Sequence, residues 1–247
     1  MPVAETLVIA MLFLAGATLY ASVGHGGASS YLAVMGLFSF APAVMKPTAL
    51  ALNILVAGVA TVKFYRAGLF RWELFWPFAI ASIPAAFLGG ATALPARWYK
   101  VLVGIVLLYA ALWMFKSSLR PVSTEPRTPP LWAAIISGAA IGFLSGLTGV
   151  GGGIFLSPLL LYMAWAETRS TSGVAAPFIL VNSIAGLLGH VASVSQLPAP
   201  IPLWGVAAVL GGWIGATYGS SRAPTPVLRQ LLSLVLIVAG VKLVLST

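Results

Sequence analysis

Two glycine clusters are the residues of this sequence best suited to hold a ligand. Gly24-His25-Gly26-Gly27-Ala28 and Gly149-Val150-Gly151-Gly152-Gly153 each open a short apolar stretch. Glycine weakens a helix and admits irregular backbone, so each cluster predicts a helix that is broken or begins late. The free N–H groups of such a start, backed by the positive end of the helix dipole, suit an anion. Backbone N–H groups at Gly26, Gly27, Gly151, Gly152 and Gly153 are therefore the expected contacts. The competing reading is helix packing through small residues. Recurrence of the cluster at equivalent places, before the two shortest segments, favours binding.

A few polar side chains share these surroundings. Asn53 and Asn182 interrupt the apolar runs ALALNILVAG and FILVNSIAGL. A buried amide is costly unless hydrogen-bonded, so each either ties two helices together or donates to a ligand. His25 sits inside the first cluster where the second has Val150, so one half carries a titratable group and the other does not. Ser29 and Ser157 are candidate supplementary donors, with Ser30, Thr48 and Thr148 beside them. Each of these hydroxyls can instead bond the preceding helical turn. Gly142-Phe143-Leu144-Ser145-Gly146, with His190 elsewhere, raises an intramembrane serine hydrolase. That needs a Ser–His pair and an oxyanion hole, and the spacing is not that of a nucleophile elbow.

The composition places these residues in lipid. Of the 247 residues, 60% are hydrophobic and 7% charged, against about a quarter charged in soluble domains. The chain has no Cys and no Asp, and its four carboxylates, Glu5, Glu73, Glu125 and Glu167, lie near the ends of apolar runs. Disulfides, thiolate metal sites and Fe–S clusters are excluded, and no cofactor or metal is implied. The net charge of +9 comes from Lys and Arg scattered over short connections. Such cations set topology and touch headgroups; they form no nucleic-acid footprint. The N-terminus reads as a retained span, because Glu5 stands where a signal peptide is basic.

The elements that carry the clusters are about ten apolar segments, at roughly 5–22, 27–42, 47–65, 72–92, 98–116, 131–147, 152–166, 172–194, 201–220 and 226–246. The expected fold is an all-α integral membrane protein, since a span needs about 20 apolar residues. The polar stretch KSSLRPVSTEPRTPP divides the chain into an N-terminal repeat, 1–116, a linker, 117–130, and a C-terminal repeat, 131–247. The glycine clusters match at an offset of 125, and Asn53/Asn182, Pro95/Pro224 and Lys100/Arg229 at 129. Five segments per half would place the second repeat upside down, as in inverted-repeat transporters.

Charge tests this count. With ten crossings one side receives Lys63, Arg66, Arg71, Lys116, Arg120, Arg127, Arg169, Arg222 and Arg229, and the other Lys46, Arg97, Lys100 and Lys242. That bias puts both termini outside the cytoplasm. If segments two and seven only dip in and return, the division becomes seven to six and orients nothing.

The paired stretches GHGGASSYLAVMGL and GLTGVGGGIFLSPLLLY, each followed by an apolar run containing Asn, resemble the sulfite exporter TauE/SafE family of permeases. The resemblance covers essentially the whole chain and is specific at the glycine motifs. It implies transport of small sulfur-containing anions, such as sulfite or organosulfonates, across the bacterial cytoplasmic membrane. Ala28 departs from the uninterrupted Gly-Gly-Gly of the second motif. The expected function is a secondary transporter, and not an enzyme, whose partners are a small anion and the lipid bilayer. A passive anion channel is the alternative of a different class. The sequence fixes no oligomeric state.

Overall fold

The structure, a computed structural model, describes residues 2–119, 126–190, 197–221 and 226–245. They form ten helices: α1 Val3–Ala21, α2 Ala28–Leu37, α3 Pro42–Arg66, α4 Trp72–Ala91, α5 Ala96–Leu119, α6 Leu131–Thr148, α7 Gly153–Tyr162, α8 Thr168–Gly189, α9 Ile201–Ser221 and α10 Pro226–Leu245. Seven of these (α1, α3, α4, α5, α6, α8 and α9) are long and apolar enough to cross a membrane. The protein is an all-helical, multi-pass membrane protein. Lipid offers no partners for backbone polar groups, so each spanning segment must satisfy its own as a helix.

α3 and α8 pack together in the middle of the bundle, flanked by α4 along α6, α1 along α9, and α5 along α10. Small residues permit close approach: Gly142 lies against the Ser82 carbonyl, and Gly146 against that of Ala86. α9 runs parallel to α1, for Trp204 Nε1 donates to the Thr6 carbonyl at 3.2 Å and Gly219 abuts the Ser22 carbonyl.

α2 and α7 have ten residues each, about 15 Å of helix, or half of a roughly 30 Å hydrocarbon core. α2 doubles back on α1: Tyr31 meets Phe13 with ring centroids 5.0 Å apart. By Phe40 the chain is at the level of Trp204, 5.9 Å away, near the start of α1. α7 leads toward the opposite end, where Leu161 comes beside Val23 and Thr168. Each short helix plus its glycine turn thus covers the depth that a full helix covers elsewhere.

Several element ends differ from the sequence expectation, for local reasons. α3 begins at Pro42 rather than 47 and takes Lys46 inside, where it is 4% exposed. Its ammonium donates to the carbonyls of Gly89 (3.3 Å), Gly90 (2.9 Å) and Thr92 (3.4 Å), which the end of α4 leaves open. Lys46 is therefore not a headgroup cation. α7 stops at Tyr162, short of 166, because Ala164 turns to φ +53° and the Trp165 N–H bonds back to Leu160. α8 begins at Thr168, ahead of 172, and α5 continues to Leu119, so the expected linker starts within a helix. Residues 191–194 of segment eight, residue 246, Arg120, Glu125, Arg222 and Pro224 lie outside the described residues.

Candidate functional site

Both glycine turns end on a residue whose conformation calls for glycine. Gly27, at φ +96°, is the N-cap of α2, and Gly152, at φ +84°, is the N-cap of α7. A side chain is strained in that left-handed region. Both helices therefore start late, as the clusters predict.

The two turns meet. A Cβ added at Gly26 would lie 2.0 Å from Asn53 Oδ1, and one at Gly151 would lie 2.1 Å from Asn53 Nδ2. Asn53 is fully buried near the middle of α3. The Asn53 Oδ1 accepts from the Ala28 N–H at 3.2 Å, and its Nδ2 donates to Ser183 Oγ at 2.8 Å. Ile179 of α8 closes the gap, with its Cγ2 against both Gly26 and Gly151 and its Cδ1 against Gly153. Only glycine leaves room for this arrangement.

His25 reaches across from the first turn into the second. Its Nδ1 lies 3.1 Å from the Val23 carbonyl, and its Nε2 lies 3.1 Å from the Gly153 carbonyl and 3.3 Å from Ser157 Oγ. A carbonyl only accepts, so a neutral imidazole can donate to just one of the two, whereas the imidazolium donates to both. The neutral ring instead donates from Nδ1 to Val23 and accepts at Nε2 from the Ser157 hydroxyl, so these contacts hold the ring in either charge state.

The remaining expected residues fall into place less evenly. Asn182 is fully buried, but its Nδ2 donates to Phe178 of its own helix at 2.8 Å and its Oδ1 has no partner. It is not a donor equivalent to Asn53, because Ser183 rather than Asn182 faces α3. Ser157 joins His25. Ser29 is buried on the first turn of α2, with its hydroxyl beside the Tyr20 phenol. Ser30 bonds Gly27 O at 2.7 Å and Thr148 bonds Leu144 O at 2.7 Å, the local back-bonding that such residues favour. Ser145 Oγ and Thr48 Oγ1 are buried without partners. Ser145 therefore makes no pair with His190, and the hydrolase reading falls with it.

Sequence reasoning missed four contributors. Ser183 and Ile179 come from α8, Tyr31 donates to Gly26 O at 3.1 Å, and Tyr20 packs its ring 6.2 Å from that of His25. Tyr31 is one helical turn beyond Gly27 and was readable by spacing. The α8 pair was not, because nothing local ties residue 183 to residue 53.

Known proteins bear on the same architecture. The sulfite exporter TauE/SafE family profile matches residues 8–243. A probable membrane transporter protein of Sinorhizobium fredii, y4hK, is 45% identical over 97% of this chain and 98% of its own. Another, YjnA of Bacillus subtilis, is 26% identical over 90% and 92%. No solved structure matches the chain. A multi-pass membrane transporter rather than an enzyme, the chain belongs to the sulfite exporter TauE/SafE family.

Proposed function

We propose that this protein is a secondary transporter moving small sulfur-containing anions, such as sulfite or organosulfonates, across the bacterial cytoplasmic membrane. The observation that carries this reading is the convergence of Gly26 and Gly151 on Asn53 near the middle of α3, with His25 set against Gly153 of the second turn. Irregular backbone at that depth is tolerated where protein or a cavity covers it, and it offers N–H groups to an anion. The start of α7 is the better half of the cradle. At α2 the Ala28 N–H is already held by Asn53, whereas Asn182 bonds back to Phe178 and supplies no such cap. Gly151, Gly152 and Gly153 are then the principal anion contacts and Gly26 and Gly27 the secondary ones. His25 and Ser157 stand beside them.

The packing supports reading 1–116 and 131–247 as inverted halves, joined through 117–130 into one transport unit. α4 lies along α6 as α9 lies along α1, α3 pairs with α8 and α5 with α10, and the two short helices run to opposite ends. This is the pattern of a two-fold axis in the membrane plane. Lys63, Arg66, Arg71 and Arg169 fall at the end where α1 terminates: Lys63 covers the Trp213 ring at 3.7 Å and Arg169 donates to Ser220 O at 3.0 Å. A cytoplasmic assignment of that end puts both termini outside.

The test is Gly152→Val in purified, monodisperse protein, with proteoliposome uptake of sulfite, sulfate, taurine and sulfoacetate measured beside wild type. A β-branched side chain at this positive φ should abolish binding and uptake. Unchanged affinity in a well-folded variant would move the site elsewhere.

A further inference from the structure

A groove opens toward the lipid between α3 and α9. Leu55 of α3 forms one wall and Gly205, Val206 and Leu210 of α9 the other, and all of the lining is apolar. Leu55, Val206 and Leu210 are exposed on this face. The other glycines of α9 are fixed by packing: Gly211, Gly215 and Gly219 abut carbonyls of α1, and Gly212 abuts Val56. Gly205 is not. A Cβ there would meet one atom, Leu55 Cδ1, at an ordinary 3.4 Å. A helical glycine that packing does not require gives up helix stability and leaves a space. One end of the groove is cationic. Trp213 lies one turn beyond Leu210, and the Lys63 ammonium covers its ring at 3.7 Å from the centroid. On α3, Val62 is exposed two turns beyond Leu55, next to Lys63, and Arg66 follows in the last turn. The carboxylates of the described residues sit elsewhere. Glu5 is in the first turn of α1 at the opposite end, and Glu73 and Glu167 line a separate cavity with Arg71 and Arg127.

We infer that this groove holds an acyl chain of an anionic phospholipid whose phosphate lies at Lys63 and Arg66. Gly205 to Trp213 covers about 12 Å of helix, close to the depth of one leaflet in a hydrocarbon core of about 30 Å. The groove therefore suits one chain entering from the cationic end. Trp213 holds the ammonium over its face at the level where aromatic rings meet headgroups. With no carboxylate placed beside Lys63, a lipid phosphate supplies the negative charge, as at basic juxtamembrane sites generally. A second copy of this chain is a poorer occupant. A two-fold partner would present the same face, with its own Lys63 and Arg66. A lipid seated here touches α3, the helix that carries Asn53, and α9 together, and so fastens one to the other. The inference does not depend on which anion the protein carries.

Native mass spectrometry of the full-length protein in detergent tests this, with dioleoyl phosphatidylglycerol and dioleoyl phosphatidylcholine as probes. One phosphatidylglycerol should bind about five- to thirty-fold more tightly than phosphatidylcholine, the range expected for one or two basic side chains at a headgroup. Lys63→Gln combined with Arg66→Gln should bring the two lipids to equal affinity and leave that for phosphatidylcholine unchanged. Gly205→Leu places a side chain in the groove and should abolish the tight site with both cations still present. Circular dichroism and size-exclusion profiles establish that each variant is folded. Equal affinity of wild type for the two lipids overturns the inference without any variant. A preference that survives the double substitution overturns it too, as does wild-type binding by well-folded Gly205→Leu. Competition by glycerol phosphate at the lipid's own concentration would leave an anion site without the groove, against the inference. A dimer that Gly205→Leu dissociates would make the occupant a second copy and exclude the lipid. None of these readouts involves uptake, so their failure leaves the proposed function untouched.

Discussion

Asn53 of α3 donates from Nδ2 to Ser183 Oγ of α8 at 2.8 Å, across the interface where the two glycine turns meet. The same amide caps the Ala28 N–H at the start of α2 through Oδ1. One side chain thus ties both long central helices to one of the short ones. Removing it leaves a buried N–H and a buried hydroxyl unpaired, and such losses exceed the net worth of the bonds themselves.

Asn53→Ala should therefore lower both thermal stability and anion affinity, each by about 1–3 kcal/mol. Asn182→Ala should be milder, within about 1 kcal/mol, because its amide only supplements a helical carbonyl and its Oδ1 is already unpaired. Melting curves and binding isotherms on the two purified variants check this. Equal damage from both would mean that the asymmetry between the asparagines is not functional.

His25 should confer pH dependence. With the ring between the carbonyls of Val23 and Gly153, deprotonation removes a donor and the positive charge together. Anion binding should weaken as the ring loses its proton. His25→Gln should flatten the pH profile of proteoliposome uptake. A profile identical to wild type, at full activity, would remove His25 from the mechanism.

Lys46 should matter for folding. Its ammonium closes three carbonyls at the end of α4 from a buried position. Lys46→Met keeps the length and removes the donors, and it should cost about 2–3 kcal/mol of stability. Detergent-solubilised melting temperature is the readout. A variant as stable as wild type would show that water replaces the ammonium.

Topology can be read against a background without cysteines. Ala4 and Ala67 are exposed at opposite ends of the bundle. In intact cells an impermeant maleimide should label Ala4→Cys and spare Ala67→Cys. The reverse pattern would turn the protein over and place the charge-rich end outside.

The sequence by itself determined the solvent of this protein, and with it the fold class. A chain with few charges and no Asp must meet lipid, and apolar runs of about 20 residues cross it as self-satisfied helices rather than as the short alternating strands of a barrel. It determined also where α2 and α7 begin, because Gly27 and Gly152 occupy backbone conformations that other residues avoid. These are local or solvent-wide constraints, legible without knowing which helices touch.

Tertiary structure decided the partners. Asn53 and Asn182 occupy equivalent places in their apolar runs, yet Asn53 bridges two helices while Asn182 turns back on its own. The difference lies in which side of α8 faces α3, set by packing rather than by either residue's type. Lys46 reads as a loop cation until the end of α4 comes beside it with open carbonyls. Such pairings join residues 44 apart at Lys46 and Gly90 and 130 apart at Asn53 and Ser183, distances at which sequence spacing carries no information and only the packed bundle brings the groups together.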